Sequence, residues 1–182
     1  DRVEGTLLLA GTFSPLVWEA DRRVVIDGDL QVTGEVTVRG VDLMVRGEVK
    51  LFDKSRLESV SIVTGRRLVM LGSAYLEGDV LSMGSILLSD EAEVAGRSVL
   101  ASAGGTKAKT KNRFAIVVAG EAVVDGTLLA LRQPGSIHIG PDAVVVGIVY
   151  ASTSLCNEGE VVGVVKARTL VGCGSPDSLR SR

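Results

Sequence analysis

Gly84-Ser85-Ile86-Leu87-Leu88-Ser89-Asp90-Glu91-Ala92-Glu93-Val94-Ala95-Gly96 returns later in the chain as Gly135-Ser136-Ile137-His138-Ile139-Gly140-Pro141-Asp142-Ala143-Val144-Val145-Val146-Gly147. The two stretches share Gly-Ser-Ile at the start and Ala-x-Val-x-Gly at the end. Within them apolar and polar residues tend to alternate, the period of a strand with one buried face.

Working outward, the closing motif recurs as Ala74-x-Leu76-x-Gly78, Ala122-x-Val124-x-Gly126 and Gly159-x-Val161-x-Gly163, and Val24-x-Ile26-x-Gly28 reads as an earlier copy. Gly28-Asp29-Leu30 through Gly34, Val36 and Val38 also aligns with Gly78-Asp79-Val80 through Gly84, Ile86 and Leu88. The motif glycines at 78, 96, 126, 147 and 163 step by 18, 30, 21 and 16 residues. The 30-residue step holds a polar insertion at 104–113, and the 21-residue step holds three extra residues at or near Arg132-Gln133-Pro134. Removing both leaves a repeat of roughly 18 residues, the length of one short-stranded coil. Such coils cannot bury their apolar faces alone and must stack.

The expected fold is therefore all-β: a single-stranded β-solenoid of roughly eight coils. At ~4.8 Å per layer it forms a rod on the order of 40 Å long. Residues 1–23 are expected to make a cap or first coil, 24–173 the solenoid and 174–182 a frayed tail. A β-sandwich is the alternative, although its strands do not ordinarily repeat so closely.

Composition agrees with a narrow interior. Hydrophobic residues are 46% of the 182, but aromatics only 3%, so Val, Leu, Ile and Ala must fill the core. Gly at 22 copies against 4 Pro fits many tight corners rather than rigid linkers. Lys plus Arg (20) nearly balance Asp plus Glu (22), which argues against a generic nucleic-acid binder. No apolar run approaches the roughly 20 residues of a membrane-spanning helix. The chain opens with Asp1 rather than Met, which is expected of a processed or trimmed product.

The segment from about Ala74 to Gly172 resembles the bactofilins, polymer-forming cytoskeletal proteins of bacteria. Its Ala-x-Val-x-Gly copies carry the resemblance, together with Gly159-Glu160-Val161-Val162-Gly163-Val164-Val165-Lys166-Ala167. The resemblance implies a right-handed β-helix that polymerises end to end without a nucleotide at the cytoplasmic face of the membrane. A bond between Cys156 and Cys173 would instead place the chain in the cell envelope, extracytoplasmic or pilus-associated. Gly11-Thr12-Phe13 and Val25-Ile26-Asp27-Gly28-Asp29-Leu30 look more like the solenoid domains of pilin-like surface proteins. That second likeness implies an extracytoplasmic, pilus-associated module.

Few residues carry chemistry. Alternation points the single histidine, His138, outward between Ile137 and Ile139, as a lone surface histidine. No nucleophile–His–acid set assembles around it, and the six-residue period of hexapeptide acyltransferases is missing. Asp27, Asp79, Asp90, Glu91, Asp125 and Asp142 stand at predicted corners. Stacked in one column they would make a metal or polysaccharide-cleaving site. Spread over corners they support turns and keep edges soluble, which is the expectation adopted. Lys107, Lys109, Lys111 and Arg113 form a basic loop that is a candidate for DNA or another polyanion. Leu7, Leu8, Leu9 and Trp18 are candidates for capping one end or forming an assembly joint.

Cys156 and Cys173 lack metal-type spacing, but they lie about one coil apart, so a disulfide or two stacked free thiols are both open. No catalytic residue, metal, cofactor or small-molecule substrate is expected. The expected partners are further copies of the chain, or other envelope or pilus proteins.

Overall fold

The computed structural model describes residues 2–102, 114–132 and 135–173, and no helix occurs among them. Their regular structure is sixteen strands: β1 (Arg2–Val3), β2 (Leu7–Ile26), β3 (Leu30–Val45), β4 (Val49–Leu51), β5 (Arg56–Glu58), β6 (Ser61–Thr64), β7 (Leu68–Met70), β8 (Tyr75–Glu77), β9 (Val80–Ser82), β10 (Ile86–Leu88), β11 (Glu93–Ala101), β12 (Ile116–Val118), β13 (Val123–Ala130), β14 (Ile137–Ile139), β15 (Val144–Asn157) and β16 (Glu160–Leu170). Every pairing is parallel, and each joins a residue to one about a coil further along. The fold is a β-solenoid of stacked coils.

Three ladders run along the rod. The inward column of the first is Leu7, Leu30, Val49, Leu68, Ile86, Ile116, Ile137, Leu155 and Leu170. The second holds Trp18, Val38, Leu57, Leu76, Val94, Val124, Val145 and Val161. The third holds Val24, Leu43, Ile62, Val80, Val99, Leu128, Val149 and Val165. Between the end coils these positions are essentially sealed from water. Branched aliphatics suit this geometry, because they fill a pleated, two-sided interior without a polar atom to satisfy.

A fourth inward column turns the corner out of the third ladder and shrinks along the rod: Ile26, Val45, Thr64, Ser82, Ala101, Ala130 and Ala151. Its two buried hydroxyls are satisfied by corner carbonyls. Thr64 Oγ1 donates to the Gly47 carbonyl at 2.7 Å, and Ser82 Oγ to the Arg66 carbonyl at 2.8 Å.

The Ala-x-Val-x-Gly motif now has a physical reading. Its Ala is buried at the corner leading into the second ladder, its Val or Leu is the inward residue there, and its Gly makes the corner into the third. At Gly126 φ is +149°, and a Cβ would fall well inside contact distance of the Gly96 carbonyl oxygen one coil below. Backbones approach that closely only where no side chain intervenes.

One expectation is corrected. Val24-x-Ile26-x-Gly28 is not a register copy of the motif, because Ile26 pairs with Val45 in the fourth column, at the corner out of the third ladder, whereas Leu76 pairs with Leu57 on the second. The alignment of Gly28-Asp29-Leu30 with Gly78-Asp79-Val80 fails for the same reason: Leu30 lies on the first ladder and Val80 on the third. Different corners use the same Gly-Asp chemistry, and sequence comparison slid one face around the coil.

Candidate functional site: the two ends of the rod

The described ends of the stack differ from its middle. At the N-terminal end the outer edge of β2 is paired by β1 at Val25 and Ile26 alone among the described residues. Leu7, Leu9 and Trp18 turn inward and pack partly buried on the core, while Leu8 points outward and is exposed. Of the four candidate end residues, three thus belong to the first coil's core face and one to its surface. Leu16 and Val17 add to the exposed apolar area there.

The C-terminal end is more open. β16 pairs with β15, and no described strand pairs with its other edge. Val165 is 42% exposed although its register partner Val149 is sealed, and Leu170 is 74% exposed above Leu155 at 1%. These side chains hold core positions with no described coil over them. On the outward side, Val146 and Ile148 of β15 sit in register with Val162 and Val164 of β16, and all four are exposed. Contiguous exposed apolar surface of this kind marks contact sites.

Cys156 and Cys173 are disulfide-bonded, with Cα atoms 5.3 Å apart. Cys156 ends the first ladder on its outward side, in register with His138. The chain beyond β16 continues in the same parallel register above it, with the Val171 N–H donating to the Leu155 carbonyl at 2.9 Å. The bond therefore staples the last coil to the one before it. His138 does point outward from between the buried Ile137 and Ile139, but it is not alone. Phe114 lies 5.2 Å from it ring to ring, and a Glu158 carboxylate oxygen 3.5 Å from its Nε2.

The acidic residues are distributed rather than aligned. Asp27 closes the third ladder, Asp79 precedes Val80 on it, Asp90, Glu91 and Asp142 lie between the first and second ladders, and Asp125 faces outward on the second. Several of the corner acids bind backbone. Asp79 accepts the Ser98 N–H at 2.9 Å, and Asp90 accepts the Gly72 N–H at 3.0 Å. These two bonds hold a turn to the neighbouring coil.

Charge on the outer surface is arranged as ion pairs within and between coils. Asp27 is flanked by Arg2 and Arg46, Glu48 by Lys50 and Arg67, and Glu58 by Arg39 and Arg56. Hydrogen bonds from Arg39 and then Arg56 hold the Glu58 carboxyl below its ordinary range. Tyr75, beneath the Arg56 guanidinium at 4.5 Å, has its hydroxyl pKa pushed up by burial first and by Glu77 and Glu93 next. One outward column of the third ladder is different: Val25, Met44, Val63, Leu81, Leu100, Leu129 and Tyr150 stack along it, and Lys166, over the Tyr150 ring, ends the row.

Lys107, Lys109, Lys111 and Arg113 lie outside the described residues, as does the tail from Gly174. Comparison with protein-family models, with curated proteins and with solved structures found no match in any of the three.

Proposed function

We propose that this chain is a non-enzymatic structural protein of the bacterial cell envelope or cytoskeleton, a solenoid scaffold that assembles end to end with copies of itself, as the bactofilins it resembles do. One observation carries the reading: Leu170 and Val165 occupy core positions, yet stand exposed on a coil whose outer edge has no described partner. An unpaired, apolar, parallel edge is a template for another strand of the same kind. The N-terminal coil offers one in the outer edge of β2 and the exposed Leu8, Leu16 and Val17. Such a scaffold needs no catalytic residue, cofactor or small-molecule substrate.

The test is sedimentation and negative-stain imaging over a concentration series, with a Val165→Lys/Leu170→Lys variant alongside. Filaments or end-to-end oligomers of the native chain that vanish in the variant support the reading. Monomers at every concentration overturn it.

The disulfide favours a second reading. Such bonds persist mainly in oxidising compartments, which would suit an extracytoplasmic, pilus-associated module that contacts DNA or a surface. The apolar outward column from Val25 to Tyr150 on the third ladder would give it a contact face, and the basic residues 107–113 a polyanion site. DNA binding that survives replacing Lys107, Lys109, Lys111 and Arg113 with Ser would remove that mechanism.

A further inference from the structure

The disulfide lies inside a cluster richer than a disulfide needs. His138 on β14 and Cys156 on β15 are cross-strand partners on the outward side of the first ladder. Glu158 follows β15, fixed by its N–H donating to the Ile139 carbonyl at 2.8 Å, and its carboxylate turns toward the imidazole. Cys173 arrives from the following coil, on the segment that continues beyond β16. One nitrogen, two sulfurs and one carboxylate oxygen thus converge, and all four atoms lie within 4.8 Å of one another. Around a tetrahedral Zn²⁺ at ordinary bond lengths the same donors would stand about 3.3–3.8 Å apart. Small side-chain rotations cover the difference.

A second observation points to a ligand. His138 Nε2 is buried and has no hydrogen-bond partner, and the 3.5 Å approach of Glu158 does not supply one. A buried ring nitrogen without a partner carries a desolvation cost that a bound cation would remove. Cys156 is sealed at 1% exposure and Phe114 packs beside the imidazole, so the cluster has a dry side. Glu158 is 46% exposed and leaves an entry path from solvent.

We propose that His138, Cys156, Glu158 and Cys173 form a redox-selected zinc site, which holds the last coil by a disulfide when oxidised and by Zn²⁺ when reduced. An external dithiol opens the S–S bond by giving two electrons and two protons, and becomes a disulfide itself. The two protein thiols then release two protons as their thiolates ligate the metal. Two thiolates and an imidazole select Zn²⁺ over Mg²⁺ or Ca²⁺, which prefer oxygen. Four protein ligands make a closed site, structural rather than catalytic. The terminal coil is thereby stapled in either redox surrounding.

The experiment uses the full chain, reduced and freed of reductant, titrated with Co²⁺ and then Zn²⁺. The expected result is one Co²⁺ per reduced chain, with sulfur-to-cobalt charge-transfer absorption and the visible bands of a tetrahedral ion, displaced by Zn²⁺. The oxidised chain shows neither. His138→Asn and Glu158→Gln leave the disulfide intact, so their folding is verified in the oxidised state first. After reduction each should bind Co²⁺ at least about tenfold more weakly, since even supporting groups at zinc sites matter by that much. The proposal is overturned if the reduced, folded chain gives no charge-transfer band, or if both variants bind Co²⁺ as the native chain does.

Discussion

Leu155 and Leu170 are the same residue type at the same register position one coil apart, yet one is 1% exposed and the other 74%. Nothing local distinguishes them. What differs is whether another described coil lies on top. In a solenoid each layer completes the burial of the one beneath, so stability accumulates in the middle and the ends carry a deficit. That deficit is what the proposed function uses, and the staple at Cys156–Cys173 keeps it from unravelling the last coil.

The sharpest way to break the comparison is to remove the same atoms from both regions. Leu76→Ala, fully buried in a middle coil, should cost about 2–5 kcal/mol of unfolding free energy. Leu170→Ala should stay within about 0.5 kcal/mol, as exposed substitutions do. Urea unfolding followed by circular dichroism reads both, and equal losses would mean that the ends are as well packed as the middle.

Corner glycines extend the test to the backbone. Gly126→Ala should cost about 1–3 kcal/mol, since its positive φ and the Gly96 carbonyl both resist a side chain. Gly172, which has open space around it, should accept Ala without measurable change by the same assay.

Opening the staple should act locally. A Cys156→Ser/Cys173→Ser variant loses up to about 3 kcal/mol of cross-link stabilisation. The loss should appear as faster hydrogen exchange in β16, with β7 to β13 unaffected. Exchange that rises evenly along the rod would mean that the coils unfold as one unit rather than from the end.

The smallest effect is electrostatic. Glu58 has its carboxyl pKa lowered by Arg39 and Arg56, so its contribution is present above the ordinary carboxylate range. It is lost as pH falls through the lowered value. Native and Glu58→Gln proteins should therefore differ slightly in urea midpoint near neutrality and converge in acid. A gap that widens in acid would contradict the assignment.

Much of this was legible in the chain. Alternation and the return of Gly84–Gly96 as Gly135–Gly147 disclosed coils of the right length, because Ile86 and Ile137 do lie on one ladder. The motif's Gly was legible as a corner. Which corner was not, since Gly28-Asp29 and Gly78-Asp79 solve different bends with the same residues. His138 was misjudged as solitary for a related reason: its companions come from neighbouring coils, Phe114 from the one before and Cys156 and Glu158 from the one after. A step of about 18 residues along the chain hides that they are neighbours in space. The exposure of Leu170 had no local signal at all, because a core residue at the end of a stack looks like every other.

Hydrogen exchange of β16 over a concentration series tests the central claim most directly. If the open C-terminal coil is an assembly joint, its amides exchange rapidly in dilute solution and become protected as concentration rises, while β7 to β13 stay protected throughout. Exchange in β16 that is the same at every concentration would contradict the account.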